Sequence, residues 1–117
     1  DLCTGTGDLL PLLGKKFKEI AGGDFCRPMM VAGKRKYPPL ITSRFLQCDA
    51  LCLPFSSNAF DTVTVAYGVR NLENLVQGLR EVSRVLKPGG DLLVLEFGQP
   101  TVPGWKQLFQ LYSRYLM

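Results

Sequence analysis

Four short segments carry residues whose types and spacing could hold a nucleoside and act on an aromatic ring. In DLCTGTGDL, residues 1–9, Gly5 and Gly7 flank Thr6. Lacking a Cβ, the two glycines let the backbone turn tightly and approach a ligand. The pattern is neither a Walker loop, which ends in Gly-Lys-Ser/Thr, nor GxGxxG, because Leu10 stands where the third glycine belongs. Asp24 follows about twenty residues later, the spacing at which a carboxylate can accept both hydroxyls of a ribose in charge-assisted hydrogen bonds. In QCDALCLPF, Asp49 can take an amino group of adenine, and the small Ala50 beside it leaves room for the ring. In AYGVRN, Gly68 permits an unusual backbone angle, Asn71 can cap the next helix, and Arg70 is a cation able to stabilise a developing phenolate or oxyanion. Taken singly, the glycine pair is equally an ordinary strand–helix turn and Asp49 equally a turn residue; Asp24 has a plainer alternative as a helix cap before Pro28, against which its spacing from the glycine turn favours the ribose.

These residues need elements to hold them together. Residues 9–18 read as a helix, with Leu9, Leu10, Leu12, Leu13 and Phe17 apolar and Pro11 in its first turn. Residues 19–25 are a strand weakened by Gly22 and Gly23. Pro28 opens a helix through about Lys36, and Pro38-Pro39 stops it. Residues 43–48 are a strand, 49–59 a loop, and 61–67 (DTVTVAY) the clearest strand by β-branched content. Leu72, Leu75, Val76, Leu79, Val82, Val85 and Leu86 then recur at helical spacing as one apolar stripe. Glu73 falls in that helix's first turn and Arg84 and Lys87 near its end, as the helix dipole prefers. Residues 87–90 (KPGG) are a stop and turn, and 91–97 (DLLVLEF) a strand covered on both faces. Strands alternating with helices in this way specify a parallel α/β sheet, which binds ligands at the carboxyl ends of its strands. The segments 4–8, 24, 49–50, 66–71 and 96–99 all occupy that position.

Composition narrows the chemistry. A chain of 117 residues, 46% hydrophobic and 21% charged, makes one ordinary globular domain. No run approaches the roughly 18 apolar residues of a transmembrane helix, and the opening has no signal-peptide pattern. The chain starts without Met, lacks an apolar strand ahead of Asp1 and stops inside an apolar pattern at Met117, so it is expected to be the middle of a longer protein. There is no His, which removes the commonest general base and the His-based triads. Cys3, Cys26, Cys48 and Cys52 form no CxxC and read as reduced, mostly buried thiols of a cytosolic protein; no metal site is expected. The net charge of +4 comes from Lys15, Lys16 and Lys18 and from Lys34, Arg35 and Lys36. Neither cluster has interleaved aromatics, so both read as solvated helix faces and not as a nucleic-acid footprint.

Together, DLCTGTGDL, GGDFCRPMM, CDALCLPF, FDTVTVAYGVRNLEN, LREVSRVLKPGG and LLVLEFGQP resemble the ubiquinone/menaquinone biosynthesis C-methyltransferase family, in family order and over nearly the whole chain. VLKPGG and LPF-x(4)-FD are common to many class I S-adenosylmethionine-dependent methyltransferases; GVRN followed by VLKPGG and LEF is narrower. The resemblance implies a Rossmann-like three-layer α/β/α sandwich, here one partial domain over residues 1–117 without most of the first strand and without the terminal strands. It implies S-adenosyl-L-methionine as cofactor, with Gly5, Thr6 and Gly7 against its methionine part, Asp24 on the ribose, Asp49 and Ala50 at the adenine, and Ala66 near the methyl group. Arg70 and Asn71 would face the quinone. Cys3 stands where many class I methyltransferases have Gly, a position at which this family accepts small residues.

The implied reaction is methylation of a ring carbon of a prenylated quinol in menaquinone or ubiquinone biosynthesis. The implied setting is the cytoplasm, with peripheral contact at the inner face of the membrane, as a homo-oligomer or within a quinone-biosynthesis complex. The protein's share of such chemistry is alignment of the ring behind the methyl group and exclusion of water. A phenol-like hydroxyl has a pKa of about 10, which Arg70 would lower. A water held by Arg70 and a carboxylate is the expected proton acceptor. Trp105, Leu108, Phe109, Tyr112, Tyr115 and Leu116 recur at helical spacing, as core or inter-subunit packing or as a lid for an isoprenoid tail. Two other readings stay open: a methyltransferase for another small molecule, sharing every cofactor residue, and a catalytically inactive fragment of the fold.

Overall fold

The computed structural model describes residues 1–38 and 44–98. Strand β1 (Gly22–Asp24) pairs in parallel with β2 (Phe45–Gln47), and β3 (Phe60–Ala66) in parallel with β4 (Leu86–Leu95). Leu2 joins the two pairs, bridging in parallel to Gly23 on one side and to Val65 on the other. Its N–H donates to the Thr64 carbonyl at 2.8 Å, and the Gly23 N–H donates to the Asp1 carbonyl at 2.9 Å. The chain's first residues therefore lie between β1 and β3, giving the order β2, β1, residue 2, β3, β4. The connections run outward in both directions from this line, which makes it the switch point where parallel sheets open a crevice.

Two of the helices are shorter than the apolar pattern predicts. Helix α1 is Leu10–Leu13, with Pro11 in its first turn and Gly14 at its end. The backbone beyond it continues only as turns through Phe17. Gly14 weakens propagation, and Leu12 and Phe17 are exposed, so residues 14–18 have no buried face to hold a helix; Leu10 alone is fully buried. Helix α2 (Arg27–Lys36) matches its expected span and ends at Tyr37, which is extended ahead of Pro38.

Helix α3 (Leu75–Val85) begins three residues later than Asn71 would start it. Residues Val69–Asn71 form a single 3₁₀ turn, and the actual cap is Asn74, whose side chain accepts from the Gln77 N–H at 3.0 Å. Asn71 is spent inside the 3₁₀ turn, its N–H donating to the Gly68 carbonyl, and Glu73 precedes the helix. Only the C-terminal half of the apolar stripe is covered: Val82 and Val85 are buried, whereas Leu75, Val76 and Leu79 are exposed.

Residues 87–90 are not a separate turn. Strand β4 runs through them, and the register against β3 shifts between Phe60 and Thr62, with Gly89 at φ +78°. An irregular strand accommodates the Pro-Gly-Gly run as a bulge does. The expected cover on both faces of β4 is missing among the described residues, where Leu93, Val94 and Leu95 are all about half exposed. Residue 43 and the pattern from 105 to 116 lie outside the described residues.

The core is Leu2, Cys48, Ala50, Leu53, Val63, Val65, Val82 and Val85, set between α3 and the sheet. One polar clamp fastens the 49–59 loop to α3. Arg84 donates to both oxygens of Glu81 at 2.8 Å and to the carbonyls of Phe55 at 2.7 Å and Leu53 at 2.9 Å; the Leu53 N–H donates back to Glu81 at 2.7 Å. The bonds from Arg84, with help from the Leu53 N–H, hold the Glu81 carboxyl down to about 2.

Candidate functional site

The glycine turn adopts the conformation its residues invite. Gly5 sits at φ +55° and Gly7 at φ +83°, the left-handed region that glycine enters without steric cost. Asp24, at the end of β1, fixes the turn: one carboxylate oxygen accepts from the Gly5 N–H at 2.7 Å and the other from the Cys26 N–H at 2.7 Å. It does not cap α2, whose N-cap is Cys26 without a side-chain bond. Behind the turn, Asp1 accepts from the hydroxyls of Thr4 at 2.7 Å and Thr64 at 2.8 Å, bracing the start of the turn and tying the central line to β3.

Across the strand ends lies one hollow of about 530 Å³, bordered by Gly5, Asp24, Asp49, Ala50, Tyr67 and Asn71 among others. Its size falls within the roughly 300–1,000 Å³ of small-molecule sites. Asp49 makes the turn expected of it, accepting from the Leu51 N–H at 2.8 Å, and borders the hollow as well. Ala50 is buried beside it.

Not every expected residue reaches this space. Thr6, Gly7, Ala66 and Arg70 do not line it. The Thr6 carbonyl packs on Gly33 of α2, where an added Cβ would come within 2.3 Å, so Thr6 and Gly7 shape the turn from behind. Ala66 continues the β3–β4 ladder opposite Leu95. Arg70 is ion-paired with Glu96 and lies over two rings, 5.7 Å from the centre of Tyr67 and 5.3 Å from that of Phe97. The Phe97 N–H, and then Arg70, hold the Glu96 carboxyl below the usual carboxylate range.

The unusual backbone angle expected at Gly68 falls one residue earlier. Gly68 has φ −104°, and Tyr67 has φ +56°. What Gly68 supplies is room, since a Cβ there would come within 2.3 Å of the Cys3 Cβ. The thiols are also less buried than expected: Cys48 is buried and Cys3 half-buried, but Cys26 and Cys52 are exposed on loops and a helix start. Three of the four, Cys3, Cys26 and Cys48, border the hollow. Burial first, then the charges of Asp24 and Cys48, pushes the Cys3 thiol up to about 11, so it is a protonated wall and not a nucleophile. Sequence reasoning missed Phe25, Met29 and Leu72 as lining residues and gave Tyr67, inside the 66–71 segment, no role of its own; Phe25 directly follows the end of β1, a signal present in the sequence.

Asp24 and Asp49 put two carboxylates, which accept hydrogen bonds, on the border of the hollow. Each carboxylate oxygen has two lone pairs, so Asp24 keeps acceptor capacity after its two backbone bonds. The second oxygen of Asp49 receives no hydrogen bond among the described residues. No group of metal-ligating side chains is assembled among the described residues.

The profile of the ubiE/COQ5 methyltransferase family matches residues 1–117. The chain belongs to the ubiE/COQ5 methyltransferase family. It is 41% identical over 120 residues to a demethylmenaquinone methyltransferase of Staphylococcus aureus strain JH9, covering all of this chain and 50% of that protein. The chain thus spans about half the length of the curated relatives it matches. Among solved structures it is similar to the YcgJ protein of Bacillus subtilis, with a TM-score of 0.78 and 25% identity over 97% of this chain and 50% of that one. It also shares the fold of a SAM-dependent methyltransferase from Aquifex aeolicus, with a TM-score of 0.75 and 21% identity over 97% of this chain and 68% of that one. The sheet of this ubiE/COQ5 member is therefore a Rossmann-like methyltransferase sheet, and the hollow sits where such sheets open.

Proposed function

We propose that this chain carries the cofactor site of an enzyme that methylates a ring carbon of a prenylated quinol. The preferred acceptor is demethylmenaquinol, after the name of its S. aureus relative. The carrying observation is the shared hollow at the switch point, where Asp24, bonded to the glycine turn, and Asp49 both border one space. When bound, S-adenosyl-L-methionine supplies a methyl carbon already activated by its sulfonium. Asp24 is assigned to the ribose hydroxyls, Asp49 and Ala50 to the adenine, and Gly5 to the methionine arm, with Thr6 and Gly7 setting the turn's shape and Ala66 holding the strand end near the methyl group.

The residues after β3 serve the acceptor. Arg70, paired with Glu96 and lying over the Tyr67 ring that borders the hollow, lowers the pKa of the quinol hydroxyl through its nearby positive charge. With Glu96 as its paired carboxylate, it holds the water that takes the proton, and Asn71 faces the ring from the wall of the hollow. A prenyl tail calls for a membrane surface nearby, although no helix of the described residues is long and apolar enough to cross one. Co-sedimentation of the chain with anionic vesicles reads that contact.

The test is a methyl-transfer assay with labelled S-adenosylmethionine and demethylmenaquinol, beside calorimetric titration with S-adenosylhomocysteine. Saturable binding, transfer to the ring, and loss of turnover without loss of cofactor-product binding in Arg70→Ala support the reading. A folded chain that binds no S-adenosylhomocysteine, or wild-type turnover in Arg70→Ala at neutral pH, contradicts it.

A further inference from the structure

Among the described residues bordering the hollow, Tyr67 is the bulky one held in left-handed backbone, at φ +56°. That conformation is an outlier for a large side chain, and two neighbours impose it. The Tyr67 N–H still donates to the Leu95 carbonyl at 2.8 Å, continuing the ladder with β4. The next residue, Gly68, is buried hard against Cys3. The chain must therefore leave β3 by reversing φ at residue 67. Tyr67, 41% exposed, borders the hollow, and its ring lies tilted at 33° to that of Phe97 with centres 4.8 Å apart. The guanidinium of Arg70 lies within cation–π reach of both rings. The acids bordering the hollow, Asp24 and Asp49, belong to β1 and to the loop after β2, on the far side of residue 2.

We infer that Tyr67 is the specificity-determining residue for the acceptor: its ring is the platform on which a planar, electron-rich aromatic diol stacks at the mouth of the hollow. This rests on the proposed methyltransferase reading and deepens it. An aromatic wall beside a cation favours an aromatic acceptor that becomes anionic over an aliphatic one, and the strained backbone keeps the ring at the mouth instead of in the pleat of β3. Strain of this kind persists where the surroundings over-determine it, most often at ligand sites.

The experiment separates the ring from the fold. Asn and Gly tolerate left-handed backbone, so Tyr67→Asn and Tyr67→Gly remove the ring without new strain and keep or raise the melting temperature. Binding is measured by equilibrium dialysis with 1,4-naphthohydroquinone in the presence of S-adenosylhomocysteine, and S-adenosylhomocysteine affinity is measured separately. Both variants are expected to weaken diol binding roughly three- to tenfold, the range expected of one stacked aromatic pair, with S-adenosylhomocysteine affinity unmoved and Tyr67→Phe restoring the diol. Unchanged diol affinity in Tyr67→Asn overturns the inference and leaves the methyltransferase reading standing, as does a wild-type chain that binds S-adenosylhomocysteine but not the diol. A folded wild-type chain that binds no S-adenosylhomocysteine overturns both.

Discussion

Asp24 holds the glycine turn and is the residue proposed for the ribose, so a single-atom change tests both jobs. Asp24→Asn replaces one acceptor with a donor that faces either the Gly5 or the Cys26 N–H. A charge-assisted bond contributes about 1.5–3 kcal/mol, so S-adenosylhomocysteine affinity is expected to fall at least about tenfold by calorimetry. The contact of Cys3 with Gly68 gives a second test. Gly68→Ala puts a methyl group 2.3 Å from the Cys3 Cβ, and overpacking of that kind costs about 1–3 kcal/mol. Cys3 itself sits at φ +56°, so Cys3→Gly relieves backbone strain and vacates the space. In a double-mutant cycle read by urea denaturation, the pair should cost less than the sum of the two single changes; strict additivity would show that the contact is not the source of the cost.

The elements stand on a few anchors. Leu10 is fully buried in an α1 of four residues and packs close to Gly7 and Gly22. Leu10→Ala should cost about 2–5 kcal/mol, read as a shift in denaturation midpoint at constant slope. The Arg84–Glu81 clamp carries a pH signature. The folded Glu81 carboxyl titrates at about 2 against an ordinary 4.5. Because the folded value is the lower one, the clamp's stabilisation is complete above about 4.5 and is lost as the pH falls toward 2. The gap in melting temperature between wild type and Glu81→Gln should therefore close across that window and stay constant from pH 5 to 8. Arg84→Lys cannot reproduce four directed bonds, and it should speed hydrogen exchange at the Leu53 amide, which donates to Glu81.

For the molecule as a whole, the sequence was most informative where local chemistry and long-range packing agree. The β-branched run of β3 and the Pro-bounded α2 form where their residues prefer to. The glycine turn, Asp24 and Asp49 meet at one hollow because each lies at or just past the carboxyl end of a line of the parallel sheet, a relation that alternation of elements makes visible. Less was legible where tertiary packing overrides a local signal. Helix α3 passes over Asn71 for Asn74, the chain first winding through a 3₁₀ turn that follows the close approach of Gly68 to Cys3. Residues 87–90 look like a turn but are drawn into β4 by pairing with β3. Arg70 reads as a free cation because its partner Glu96 is 26 positions away, and the strain at Tyr67 depends on contacts that no single stretch of sequence displays.

The central claim is that the strand ends from Gly5 to Ala50 form one site for S-adenosylmethionine. Its most direct test is an amide-resolved NMR titration of the chain with S-adenosylhomocysteine. Saturable shifts concentrated at Gly5, Asp24, Asp49 and Ala50, with the far ends of β3 and α3 unmoved, are the predicted result. A well-dispersed spectrum in which those four amides stay still, or in which the shifts gather elsewhere, would contradict it.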